Sequence, residues 1–169
     1  MAAQFIGRPT STRGSNRSWL FLIKRPIVGE VSVAQARLAV EAVAPAIELI
    51  DSRFEDFKFS LTNVVADNSS ASGFILGPLG SPEEALGDLR MVLSADGQPR
   101  ETGSTAAIVG DPWLSLVAAI RLAGEAQEPL GPGDIVMAGG ATAAISLEGI
   151  GHVRLQMRRL GDVELFVET

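Results

Sequence analysis

The end of the chain constrains the fold more than any other part. Val153, Leu155 and Met157 alternate with polar residues, Gly161-Asp162 interrupts, and Val163, Leu165 and Val167 resume the alternation. A period of two on both sides of a glycine-containing turn is a β-hairpin with one buried face. A chain that ends this way must build a sheet and cover it. Upstream, Trp19-Leu20-Phe21-Leu22-Ile23 is an all-apolar run stopped by Lys24-Arg25-Pro26, which suits a buried strand. Further strands are expected over 47–50, 73–76, 88–93 and 135–138, the last preceded by Pro132-Gly133-Asp134. Ala95-Asp96-Gly97-Gln98 reads as a hairpin turn, because Asp-Gly tolerates the positive φ such turns demand. Ser32 can cap a helix that starts near Val33, carries Leu38, Val40, Val43 and Ala44, and stops at Pro45. Asp111-Pro112 opens a second helix running through Trp113, Leu116, Val117 and Ile120 to a stop at Gly124. The expected fold class is α+β: a mixed, mainly antiparallel β-sheet with two main helices.

Residues 1–17 carry Arg8, Arg13 and Arg17 among Ser, Thr, Gly and Pro without a period, and read as a loose basic tail. Residues 18–169 read as a single domain. The 46% hydrophobic content of the whole chain argues against disorder for most of it. Charge and cysteine usage narrow the chemistry. A net charge of −6 argues against a nucleic-acid partner, and zero cysteines exclude disulfides and thiolate sites. With one histidine, His152, at the start of an alternating strand, a multi-histidine metal site is excluded, and any metal must be held by oxygen. No apolar run long enough to span a bilayer and no secretory leader were expected, so the reading is a cytoplasmic protein without a membrane partner.

Glu48 sits in an apolar strand context, so on burial it must be paired, protonated or metal-bound. Arg53 and Lys58 are its nearest cationic candidates in sequence. Ser70, in Ala66-Asp67-Asn68-Ser69-Ser70, is either a turn residue or a hydroxyl offered to a ligand. Gly139-Gly140-Ala141-Thr142 is either a plain turn or a loop whose amides approach an anion.

The run Pro45-Ala46-Ile47-Glu48-Leu49-Ile50-Asp51-Ser52-Arg53, followed by Asp56-Phe57-Lys58 and Val65-Ala66-Asp67-Asn68-Ser69-Ser70, resembles the 2-hydroxypenta-2,4-dienoate (2-keto-4-pentenoate) hydratases. These share the fumarylacetoacetate hydrolase superfamily with the 4-oxalocrotonate decarboxylases. The resemblance runs in order over residues 20–167 and implies a fumarylacetoacetase C-terminal-like fold. It implies Mg²⁺ or Mn²⁺ held partly by Glu48, and makes Ser70 a catalytic residue within the substrate pocket. It makes Thr142 and Gly140 part of a substrate-binding loop. Read from the residues themselves, Lys58, like Arg53, is either a catalytic cation steadying an oxyanion or a solvated partner of nearby carboxylates. The implied reaction adds water to a 2-hydroxy-2,4-dienoate to give a 4-hydroxy-2-oxo acid in aromatic-compound catabolism. The implied partners are a small 2-oxo or 2-hydroxy acid, further copies of the chain, or a paralogous decarboxylase.

The chain departs from that pattern in its first part. Where the family has a Glu-x-Glu pair completing the metal ligands, this chain has Asn16 and Ser18, with Arg17 between them. Two neutral ligands and a neighbouring cation oppose a divalent ion. Glu30, Asp51 and Asp67 are the carboxylates that could substitute. The family's upstream active-site segment has no counterpart in the sequence. The alternative expectation is therefore a shortened, non-catalytic homologue acting as a structural or partner subunit, with an exposed apolar face.

Overall fold

The computed structural model describes residues 2–6, 12–54, 58–84, 86–139 and 144–168, with the backbone alone for Ala2–Ile6 and Thr12. Two sheets carry the fold. The first has the strand order β1 (Ala2–Ile6), β10 (Gly161–Glu168), β9 (His152–Met157), β5 (Arg90–Ala95), β6 (Gln98–Ser104). The second runs β4 (Ala71–Leu76), β3 (Val40–Ser52), β2 (Thr12–Ile23), β7 (Ile135–Gly139), and the two-residue β8 (Ile145–Ser146) also pairs with β2. Only the β1–β10 pair is parallel among the strand pairs described. The α+β class with mainly antiparallel sheet is therefore as expected. The C-terminal hairpin is present, with Val163 opposite Leu155 and Leu165 opposite Val153. So is the Asp96-Gly97 turn, with φ of 48° and 77°.

Several boundaries differ from the expectation. The strands expected over 47–50, 73–76 and 88–93 run over Val40–Ser52, Ala71–Leu76 and Arg90–Ala95. Three further differences have local reasons. The tail expected over 1–17 is not loose: Ala2–Ile6 and Thr12–Arg17 are strand, the latter paired residue by residue with Glu48–Ser52 and Ile47 of β3. The partner strand, not the apolar content of the segment, fixes it there. Helix α1 spans only Val33–Ala39, its Ser32–Gln35 capping box intact, and Val40, Val43 and Ala44 belong to β3. Pro45 lies within β3 as well. Its carbonyl accepts from Gly77 N–H at 2.8 Å, on the side where β4 has ended, so its missing N–H breaks no ladder to β2. Helix α3 (Pro112–Glu125) keeps the Asp111 cap but runs past Gly124, where a Cβ would stand 2.8 Å from Val28 Cγ2. That glycine serves close packing rather than termination. A short helix, α2 (Leu61–Ala66), was not anticipated.

One core unites the layers. Trp19, Phe21, Val43 and Ile47 of the second sheet meet Met91, Leu93, Val153, Leu155, Val163 and Leu165 of the first, and Trp113, Leu116 and Ile120 of α3 join them. Phe21 and Trp113 rings lie 4.8 Å apart. Each such side chain contributes about 1.5–3 kcal/mol on burial. Thr105–Glu125 is 21 residues long and apolar enough by composition to cross a membrane. Only its α3 part is continuous α-helix, about 21 Å long at 1.5 Å per residue, and that part packs on this core.

Candidate functional site

Strand parity sorts the residues of β2 and β3 into two sets. Arg17, Trp19 and Phe21 point between the sheets, whereas Asn16, Ser18 and Leu20 point to the opposite face, together with Ala44, Ala46 and Glu48. Leu20, Ala44 and Ala46 form a second apolar cluster there with Leu22, Leu76 and Met137. Register then assembles a polar group at one end of it. Asn16 stands directly opposite Glu48, and Ser18 opposite Gly139 of β7. A Cβ built on Gly139 would lie 2.8 Å from Ser18 Oγ and 3.5 Å from Glu48 Oε2. Glycine at this position leaves the two side chains room to converge.

A cleft of about 400 Å³ opens over Glu48, walled by Phe74, Ile135 and Met137 and edged by Asn68, Ala71, Ser72 and Gly73. Phe74 belongs to β4 and Ile135 to β7, the two ends of the strand order, so the sheet curls to bring both to one cleft. Burial pushes the Glu48 carboxyl above its ordinary value, and the nearby Ser18 hydroxyl offsets part of that. Ser18 Oγ is buried without a well-aligned hydrogen bond of its own among the described residues. The cleft rim is strained: Asn68, Ser69 and Ser70 hold φ of 51°, 53° and 58° in succession, a left-handed run without glycine. Such runs persist only where surrounding contacts hold them. A second cleft of about 420 Å³ lies by Arg100, Glu101, Ser146 and Glu148. Its charges are mixed and accessible, and the Glu48 cleft is where a half-buried carboxyl and strained backbone coincide.

The contacts holding the rim account for Ser70. Its hydroxyl donates to Asp67 Oδ2 at 2.8 Å, and Arg53 closes on the other Asp67 oxygen. Asp67 is buried; desolvation pushes its carboxyl up, but the bonds from Ser70 and Arg53 outweigh this and hold it below the usual range. Ser70 is thus buried, with its hydroxyl engaged on Asp67, and is not among the residues that line the cleft. Lys58 lies exposed on the segment before α2, outside the residues that line the cleft. Arg53 pairs with Asp67 and not with Glu48. Asp51 faces Arg13 at 3.9 Å, and Glu30 is exposed on the loop before α1. None of these carboxylates joins Glu48, and among the described residues no three potential ligands of the His, Cys, Asp or Glu type converge. Gly140 and Thr142 lie outside the described residues. His152 stacks on Phe166 at 4.7 Å, away from the cleft. Sequence reasoning missed Asn68 and Ser72 as the polar edge; their place in the Asn-Ser-rich run was the available signal.

Arg17 departs furthest from expectation. It is fully buried between the sheets, on the face opposite Glu48, so its guanidinium does not enter the cleft. Its Nη1 donates to Met91 O at 3.5 Å, while Nε and Nη2 find no partner among the described residues. Desolvation pushes its pKa down, countered in part by Glu101.

The fumarylacetoacetate hydrolase C-terminal family model matches residues 21–167. A 4-oxalocrotonate decarboxylase of Pseudomonas sp. is 48% identical over 143 residues, covering 85% of this chain and 56% of that protein. A 2-keto-4-pentenoate hydratase of Paraburkholderia xenovorans (strain LB400) is 31% identical over 149 residues, 80% of this chain and 55% of the relative. The chain thus spans about half the length of the relatives it matches. Among solved structures, 4-oxalocrotonate decarboxylase from Pseudomonas putida G7 complexed with magnesium and adipate superposes with a TM-score of 0.87 at 32% identity. It covers 93% of this chain and 61% of its own. The same enzyme has also been solved with calcium and acetate. Those neighbours hold a divalent ion. Here the donors that converge are one carboxylate, one hydroxyl and the amide of Asn16, whose Oδ1 already accepts the Arg17 N–H at 2.8 Å. Hard divalent cations are held by negative charge, and this set does not fit a resident one.

Proposed function

Because the chain belongs to the fumarylacetoacetate hydrolase C-terminal family, we propose that its Glu48 cleft binds a small 2-oxo or 2-hydroxy acid and that the chain is a lyase of the hydratase type. The observation that carries this reading is a half-buried carboxyl, raised by desolvation, opening onto a cleft of about 400 Å³ with apolar walls. The reaction proposed is hydration of a 2-hydroxy-2,4-dienoate to a 4-hydroxy-2-oxo acid, in the breakdown of aromatic compounds in the cytoplasm. In balance, the 2-hydroxyl proton is replaced by one at the terminal carbon. Water then delivers hydroxide to C4 and a proton to C3. Glu48 is the carboxyl in the cleft that would hold and return a proton, burial having raised it above its ordinary value. Phe74, Ile135 and Met137 would pack the diene, while Asn68 and Ser72 would donate hydrogen bonds to the substrate's oxygens.

The test is the loss of ultraviolet absorbance of 2-hydroxypenta-2,4-dienoate with the purified chain, with and without Mg²⁺ or Mn²⁺. Turnover that Glu48→Gln lowers by about 10²-fold or more supports the reading; a folded chain that leaves the diene unchanged overturns it. In the second reading the chain is a non-catalytic subunit that docks on further copies or on a paralogous decarboxylase. It is favoured by Phe74 and Ile135, 46% and 40% exposed on the cleft walls.

A further inference from the structure

We infer that the Glu48 cleft lacks a resident divalent ion for want of charge and not of shape, so that two carboxylates, at positions 16 and 18, would turn it into a metal site. The geometry for such a site is already in place. Residues 16 and 18 alternate onto the same face of β2, position 16 is directly opposite Glu48, and position 18 is opposite Gly139. The absent Cβ of Gly139 leaves Ser18 Oγ and Glu48 Oε2 facing a common space. Ser18 Oγ is buried beside the Glu48 carboxyl and, among the described residues, has no other hydrogen-bond partner. Arg17, the one cation adjacent in sequence, is directed to the other face of the sheet and is held at Met91 O. Its guanidinium therefore does not occupy the space an ion would take. What is missing is negative charge: Asn16 and Ser18 bring none, and Glu48 alone brings one at most.

The experiment titrates Mn²⁺ into the full chain and follows the electron paramagnetic resonance of the free aquo ion, which broadens away on binding. The wild type is expected to leave the signal intact at submillimolar Mn²⁺. The double variant Asn16→Glu, Ser18→Glu is expected to take up one equivalent at least about tenfold more tightly, and to lose it when Glu48→Gln is added. Submillimolar binding by the wild type that Glu48→Gln abolishes would overturn the inference. So would a double variant with unchanged circular dichroism that binds no better than wild type. If the double variant does not fold, Asn16→Asp alone is read by the same criterion, with a smaller gain expected and no gain overturning the inference. The inference concerns the cleft proposed above, but its readout is metal occupancy, so it stands or falls separately from turnover.

Discussion

Arg17 and Glu48 are one sheet thickness apart and face opposite problems. The guanidinium is sealed between the sheets with two nitrogens unpartnered among the described residues, a cost that apolar replacements of similar volume avoid. Arg17→Met is therefore expected to stabilise the fold by about 1–3 kcal/mol, read from the urea midpoint; a loss of stability would mean that Glu101 and Met91 O satisfy the charge. Glu48 governs a pH dependence instead. Its carboxyl is raised in the folded chain, so the folded state binds this proton more tightly than the unfolded one. That contribution to stability is full below the ordinary carboxylate value and is lost as pH rises through the raised one. Urea midpoints across that range should fall with pH in the wild type by a step that Glu48→Gln lacks; parallel profiles would contradict the assignment. Glu48 itself was legible as a carboxylate in an apolar strand. The direction of Arg17 was not, because strand parity is fixed by the pairing of β2 with β3, and nothing in Asn16-Arg17-Ser18 says which side is inside.

Among the elements, the legible ones carry their own local signals: the Asp111-Pro112 start of α3, the Asp96-Gly97 turn and the alternation of β9 and β10. The misread ones depend on partners. Val40, Val43 and Ala44 extend the helical spacing of α1 but pair with β2, and tertiary pairing overrides the spacing. Thr12–Arg17 is polar and becomes strand because β3 is long enough to pair with it. Two substitutions test the elements. Asp111→Ala removes the carboxylate that accepts Trp113 N–H at 3.0 Å and should cost about 1 kcal/mol. Gly77→Ala places a Cβ 2.7 Å from Pro45 Cγ and 2.8 Å from Val163 Cγ2, where β4 leaves the second sheet against the first. Overpacking at that junction should cost about 1–3 kcal/mol, measured by denaturant unfolding; an unchanged midpoint would mean that the sheets part freely there.

For the molecule as a whole, a core shared by both sheets and α3 predicts one cooperative unfolding transition, with near- and far-ultraviolet circular dichroism changing together. Separate transitions would mean that the sheets are independent units. The cleft lies outside that core, on the far face of the second sheet, so its polar residues can change without disturbing the packing between the layers. The pairing of Asn16 with Glu48 has a further consequence for how such a chain can diverge. A single codon inserted or deleted in β2 beyond Ser18 would turn the strand over relative to its apolar half. It would carry Arg17 out to face Glu48 and send Asn16 and Ser18 inward. One frame-preserving indel could thus exchange an acid-lined cleft for an ion pair, a larger change in chemistry than either neighbouring substitution could make alone.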